Sequence, residues 1–185
     1  MGPRDGRTEG CQGRGDRLCG APSSGHHRPM SDPADAWLDT LPPKRRDALT
    51  AVLHAVRAGL PDGYVERVTD RGVSWDVPHS ICPDGYHCDP AAPVPFAGLA
   101  NNKAKASLHL FGIYIMGDVK ERFVADWTAS GHKLDMGASC VRFTSAAKVP
   151  LEVVTEAIAA MPVDAFLERY EASLPDKVNK KRGRG

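Results

Sequence analysis

Between residues 65 and 115 the chain carries four strand-like segments, and no helical pattern separates any two of them. A parallel pair needs a crossover of a dozen or more residues, usually a helix. Successive strands with no helix between them therefore pair antiparallel. Residues 65–69 alternate apolar and polar. Residues 73–77 alternate again around Ser74 and Asp76, with Arg71 and Gly72 as the turn between the two. Residues 96–100 and 106–115 read as two more strands, separated by the turn-prone tripeptide Asn101-Asn102-Lys103. The long gap, 78–95, holds five prolines and reads as irregular.

Helical periodicity brackets this block. Ser31 as N-cap and Pro33 in the first turn open a helix over 33–40, with Trp37, Leu38 and Leu41 on its apolar side. Pro42-Pro43 restart the chain. Leu49, Val52, Leu53, Val56 and Leu60 then follow the i, i+3, i+4, i+7 pattern up to Pro61-Asp62-Gly63. Downstream, Val119, Phe123 and Trp127 mark a helix over 118–129, closed by Gly131. A short strand at 140–144 follows. Then come a helix bearing Leu151, Val154, Ala157 and Ile158 and, after Pro162, one bearing Phe166, Leu167 and Tyr170. The order ααββββαβαα predicts an α+β domain, an antiparallel β-sheet with helices packed mainly on one face.

Composition sets the limits of this domain. The 185 residues suit one domain. Residues 1–30 are rich in Gly, Arg, Pro and Ser, with too little apolar surface to offset the entropy of ordering. They are expected to be a disordered tail, and Met30, which precedes the helix start, is expected to be the natural initiator. Residues 175–185 are a short basic tail. The body between, 31–174, has 14 basic and 19 acidic residues. An acidic body argues against nucleic-acid binding, which needs a basic face. The longest apolar stretch, 108–116, is broken by His109 and Gly112, so no membrane span is expected. Five cysteines and no secretory signal lead us to expect reduced thiols and a cytoplasmic location.

Three sets of residues have the chemistry for a site. His79, Cys82, His87 and Cys88 supply the donors of a tetrahedral zinc shell. Against this, His87 and Cys88 are adjacent and the usual C-x₂-C spacing is absent. The alternative is a proline-braced loop with both cysteines packed. Gly137, Ser139, Cys140 and Arg142 form the second set, an anion site built from backbone N–H groups and a guanidinium. Along a strand Cys140 and Arg142 share a face, and Ser139 and Val141 share the other. Cys140 beside Arg142 is also a candidate nucleophile, although no His or Asp adjoins it in sequence. The third set is Lys103, His109 and Tyr114 on neighbouring strands. His109 alternates with Leu108 and Leu110 and so faces away from both, onto the side left open if the helices cover the leucines. In the tail, Cys11, Cys19, His26 and His27 match no known metal spacing. The acids Asp118, Glu121, Asp126 and Asp135 are the only plausible basis for weak iron binding, with Asp118 also readable as a helix cap.

Specific stretches also resemble a known family. Ala36-Trp37-Leu38-Asp39-Thr40-Leu41-Pro42, Leu60-Pro61-Asp62-Gly63-Tyr64 and above all Lys133-Leu134-Asp135-Met136-Gly137-Ala138-Ser139-Cys140-Val141-Arg142-Phe143 are similar to the bacterial domain of unknown function 1801 family, also called YdhG-like. The segments 83–88 and 93–97 resemble an insertion of one subgroup. The likeness runs from Ala34 to Leu174. It departs at Val68-Thr69-Asp70-Arg71-Gly72, where many relatives have a Tyr-Gly-Met-type strand, and at His132. The resemblance implies a small cytoplasmic α+β protein, not established as catalytic, some of whose relatives are described as frataxin-like iron chaperones. The leading expectation is thus a protein that binds a small ligand or a metal ion, with iron as the candidate ion. One alternative is a thiol- or anion-dependent enzyme using Cys140, Arg142 and His109. The other is a protein-interaction module working through the 78–95 loop.

Overall fold

The computed structural model describes residues 32–175, together with Val178 and Gly183. The expectations for residues 1–30, for Met30, for the Ser31 cap, for Cys11, Cys19, His26 and His27, and for most of the basic tail lie outside the described residues.

Helix α1 (Pro33–Asp39) is capped by Asp32, whose carboxylate accepts from Ala34 N at 2.9 Å. Helix α2 (Pro43–Gly59) buries Leu49, Val52, Leu53 and Val56 completely, as its periodicity requires. Strands β1 (Val65–Thr69), β2 (Gly72–Val77), β3 (Val94–Asn101), β4 (Ala106–Leu110) and β5 (Cys140–Phe143) form one five-stranded sheet. Their spatial order is their chain order, and every neighbouring pair is antiparallel. Asp70 and Arg71 make the β1–β2 turn, and Gly72, the first residue of β2, sits at φ 153°, where a Cβ would strike the Leu99 carbonyl. Helices α3 (Phe111–Ile115) and α4 (Gly117–Ala129) lie between β4 and β5. A 3₁₀ turn (Ala146–Lys148), α5 (Leu151–Ala159) and α6 (Val163–Ala172) follow β5.

The sheet has one apolar face. In register across it lie Val73, Trp75, Ala97, Leu99, Leu108, Leu110 and Val141, each at most 5% exposed. Helix α2 packs on β3 and β4, α5 packs on α2, and α1 covers β1 and β2. This is the α+β arrangement expected from the element order. One polar network ties the first layers together. Glu66 accepts from Arg57 Nε at 2.8 Å and from the buried Trp75 indole at 3.0 Å, while Arg57 also reaches Asp32 at 2.8 Å.

Two parts of the chain differ from expectation. The strand expected over 106–115 ends at Leu110, and the chain turns into α3. Alternation fails there because Leu110, Gly112 and Ile113 are all buried. Gly112 is pressed onto the core so closely that a Cβ would lie 2.6 Å from Phe96 Cε2 and 2.8 Å from Met161 Sδ. The 78–93 loop, irregular as expected, is nevertheless part of the fold. Cys82 is 3% exposed, Tyr86 N donates to Ala92 O at 2.8 Å, and His87 N donates to the buried Tyr170 hydroxyl at 2.9 Å. The loop thus places Cys82 in the core and is joined to α6 through Tyr170. Among the described residues no helix is long and apolar enough to cross a membrane.

Candidate ligand site on the open sheet face

Because side chains alternate along each strand, the residues between the buried ones point away from the helices. Read across the sheet in register, Arg67, Ser74, Gly98, His109 and Cys140 form one row. Thr69, Gly72, Ala100, Ser107 and Arg142 form the next. Strands β2 and β3 contribute only Gly, Ala and Ser to these rows, so this part of the face has a low floor. Larger residues stand at its sides. A pocket of about 370 Å³ opens between β4 and β5, lined by Asn102, Lys105, Ser107, His109, Cys140 and Arg142. A shallower hollow of about 210 Å³ lies over Gly72, Ser74, Gly98 and Ala100. His109 borders both.

The chemical centre of this face is a thiol–imidazole pair. His109 and Cys140 are direct partners across β4 and β5, and Cys140 Sγ lies 2.6 Å from His109 Nε2. The backbone explains the closeness. Leu110 N donates to Ser139 O at 2.8 Å, so the hydrogen-bonded pair is the neighbouring one. His109 and Cys140 thus form a non-hydrogen-bonded pair, the type whose side chains stand closest.

Cations and amide groups frame the pair. Arg142 Nη1 lies 3.0 Å from Asp135 Oδ1, and Lys105 Nζ lies 2.5 Å from Asp135 Oδ2. Two positive groups thus share one carboxylate. Hydrogen bonding by Lys105, and then by Arg142, holds the Asp135 carboxyl below its usual range. Asn102 Nδ2 donates to Ser107 Oγ at 2.8 Å, leaving the Ser107 hydroxyl proton able to donate in turn.

The structure brings some of the expected residues together and separates others. Cys140 and Arg142 share a face and His109 turns away from Leu108 and Leu110, as alternation required; the β4–β5 register puts all three on the open side, with Val141 buried behind them. Tyr114 is not on a strand: it projects from α3, 57% exposed. Lys103 lies in the β3–β4 turn, where its carbonyl faces Arg45, and it does not line the pocket. Gly137 lies beside Arg142, since a Cβ on it would be 3.3 Å from Nη2. Ser139 contributes its carbonyl to the sheet, and its side chain alternates away from Cys140. Lys105, Asn102 and Ser107 were missed. Ser107 was recoverable, being two residues before His109 on the same strand, whereas the turn residues needed the register.

The other candidate sets do not assemble. His79 Nε2 turns to the Pro90 carbonyl at 3.0 Å, Cys82 is buried, and His87 Nδ1 lies 3.0 Å from the Tyr170 hydroxyl. Cys88 alone approaches His87, at 3.1 Å from Nε2. Asp118, in the first turn of α4, does not cap it, and its carboxylate lies 4.0 Å from Arg169. Among the described residues no three His, Cys, Asp or Glu side chains gather into a group that could hold a metal ion. The chain matches no family model, no curated protein and no solved structure.

Proposed function

We propose that the open face of the sheet binds a small organic ligand, with His109, Cys140 and Arg142 as its polar anchors. The observation that carries this reading is the convergence of these three side chains on one pocket of about 370 Å³. That volume falls within the range of small-molecule sites. The low floor beside it lets a flat ligand extend past His109 toward Gly98. The pair of cations sharing Asp135 favours a ligand that carries a negative charge.

Iron handling is the metal form of this reading, and it would draw on Asp118, Glu121, Asp126 and Asp135. Asp135 is already engaged by Lys105 and Arg142. The organic ligand is therefore the form we favour.

Titration of the ¹⁵N-labelled chain with citrate and with inorganic phosphate tests the proposal. Amide shifts should cluster at Gly98, Ser107, His109, Cys140 and Arg142. Shifts elsewhere, or none at millimolar concentrations, would sink it. Isothermal titration with Fe²⁺ under argon tests the metal form, which requires binding tighter than about 1 mM.

A further inference from the structure

We propose that Cys140 is a nucleophile, with His109 as its base, and that its substrates are small anionic disulfides with which it exchanges. The inference rests on the ligand-binding reading, whose pocket it uses, and goes beyond it by naming a reaction and a substrate class.

A reactive thiol needs a base within hydrogen-bond reach, access for its partner, and a local field that suits the partner. Cys140 has all three. His109 Nε2 is 2.6 Å from its sulfur. Both residues line an open pocket, and Cys140 is only half-buried. Arg142 and Lys105 line the same pocket and outnumber the one carboxylate between them. Cys82, by contrast, is buried, and the exposed Cys88 lies on the 78–93 loop beside His87.

The equipment present suits disulfide exchange. The thiol proton passes from Cys140 Sγ to His109 Nε2. The thiolate attacks one sulfur of the incoming disulfide, a bond forms between Cys140 Sγ and that sulfur, and the reagent's own S–S bond breaks. The departing thiolate takes the proton back from His109 Nε2. Cys140 ends as a mixed disulfide, the second half of the reagent leaves as a thiol, and the disulfide substrate is the only oxidant. No developing oxyanion has to be stabilised, so the step asks only for the base and the cations that the pocket supplies.

The test uses the full chain, reduced and freed of small thiols. It is mixed at pH 7 and low salt with oxidised glutathione, which is anionic, or with cystamine, which is cationic, and adducts are located by peptide mapping. An unassisted thiol is only a few per cent thiolate at pH 7, so assistance by His109 should raise the Cys140 rate on the order of tenfold over the same site in the urea-unfolded chain. His109→Gln should remove that gain at pH 7 and restore it near pH ~9.5, where thiols ionise unaided. A purely structural role for His109 would depress both rates alike. Arg142→Gln should slow oxidised glutathione relative to cystamine and so shrink the preference for the anionic reagent, with Arg142→Lys retaining part of that preference. Circular dichroism of each variant shows whether it has folded.

A Cys140 no faster than in the unfolded chain, or a His109→Gln defect independent of pH, overturns the proposal. Equal rates with both disulfides overturn the anionic assignment. Citrate binding with an inert Cys140 defeats the exchange alone. Selective exchange without citrate or phosphate shifts defeats the binding reading alone.

Discussion

Arg142 meets Asp135 twice: its guanidinium lies 3.0 Å from the carboxylate, and its backbone N–H donates to the Asp135 carbonyl at 2.8 Å. The same carboxylate also takes Lys105, whose bond is the main reason that it ionises below the usual Asp range. A carboxyl depressed in the folded state contributes stability that is complete above its unfolded value, ~3.9. That contribution is lost as pH falls through the lower folded value. Carboxyl titration by NMR should show Asp135 ionising below the ordinary Asp value, ~3.9. Lys105→Met should move it up further than Arg142→Gln does. The reverse order would mean that the guanidinium dominates.

Gly98 tests whether the low floor is used. A Cβ there would find only ordinary contacts, 3.7 Å from the Val73 carbonyl and 3.9 Å from His109 Cβ. Gly98→Leu should therefore fold with stability within about 0.5 kcal/mol of the parent, as for a surface substitution. It should also fill the hollow beside His109. Denaturant titration and the citrate titration together check this. Unchanged binding would confine the ligand to the β4–β5 side.

Glu66, on β1, is the centre of a network that links the α1 cap, α2 and β2. Glu66→Ala leaves the Trp75 indole, fully buried, without its acceptor, and strands Arg57 with only Asp32. A buried unsatisfied donor costs about 1–3 kcal/mol, and the loss should appear as a lower denaturation midpoint with an unchanged slope. Glu66→Gln keeps one acceptor oxygen for Trp75 and should cost less.

The sheet was legible in the sequence because each strand's alternation survives on its own. Val73 and Trp75, or Leu108 and Leu110, had to share a face, and His109 had to face away from Leu108 and Leu110. That His109 meets Cys140 was not legible. The two are 31 positions apart, and their meeting depends on the register of β4 against β5, which α3, α4 and the 130–139 segment decide together. The turn into α3 was hidden for a related reason. An apolar run after Leu110 reads equally well as a longer strand, and nothing in it shows that Gly112 is pressed against Phe96 and Met161. The placement of the zinc set depends on contacts that spacing does not encode: the hydroxyl of Tyr170, 83 residues away, lies 3.0 Å from the His87 imidazole.

That last contact predicts how the 78–93 loop is held. The Tyr170 hydroxyl accepts from His87 N at 2.9 Å and lies 3.0 Å from its imidazole, while the ring is fully buried against Phe166. Tyr170→Phe keeps the ring and removes the oxygen, so the core should stay packed while the loop loses its tether. The half-buried His87 amide then loses its acceptor, at a cost of about 1–2 kcal/mol. Hydrogen exchange should locate the effect, with faster exchange at His87 and its neighbours and unchanged protection in β2 and β3. Uniformly faster exchange across the sheet would mean instead that Tyr170 supports the whole core through its hydroxyl.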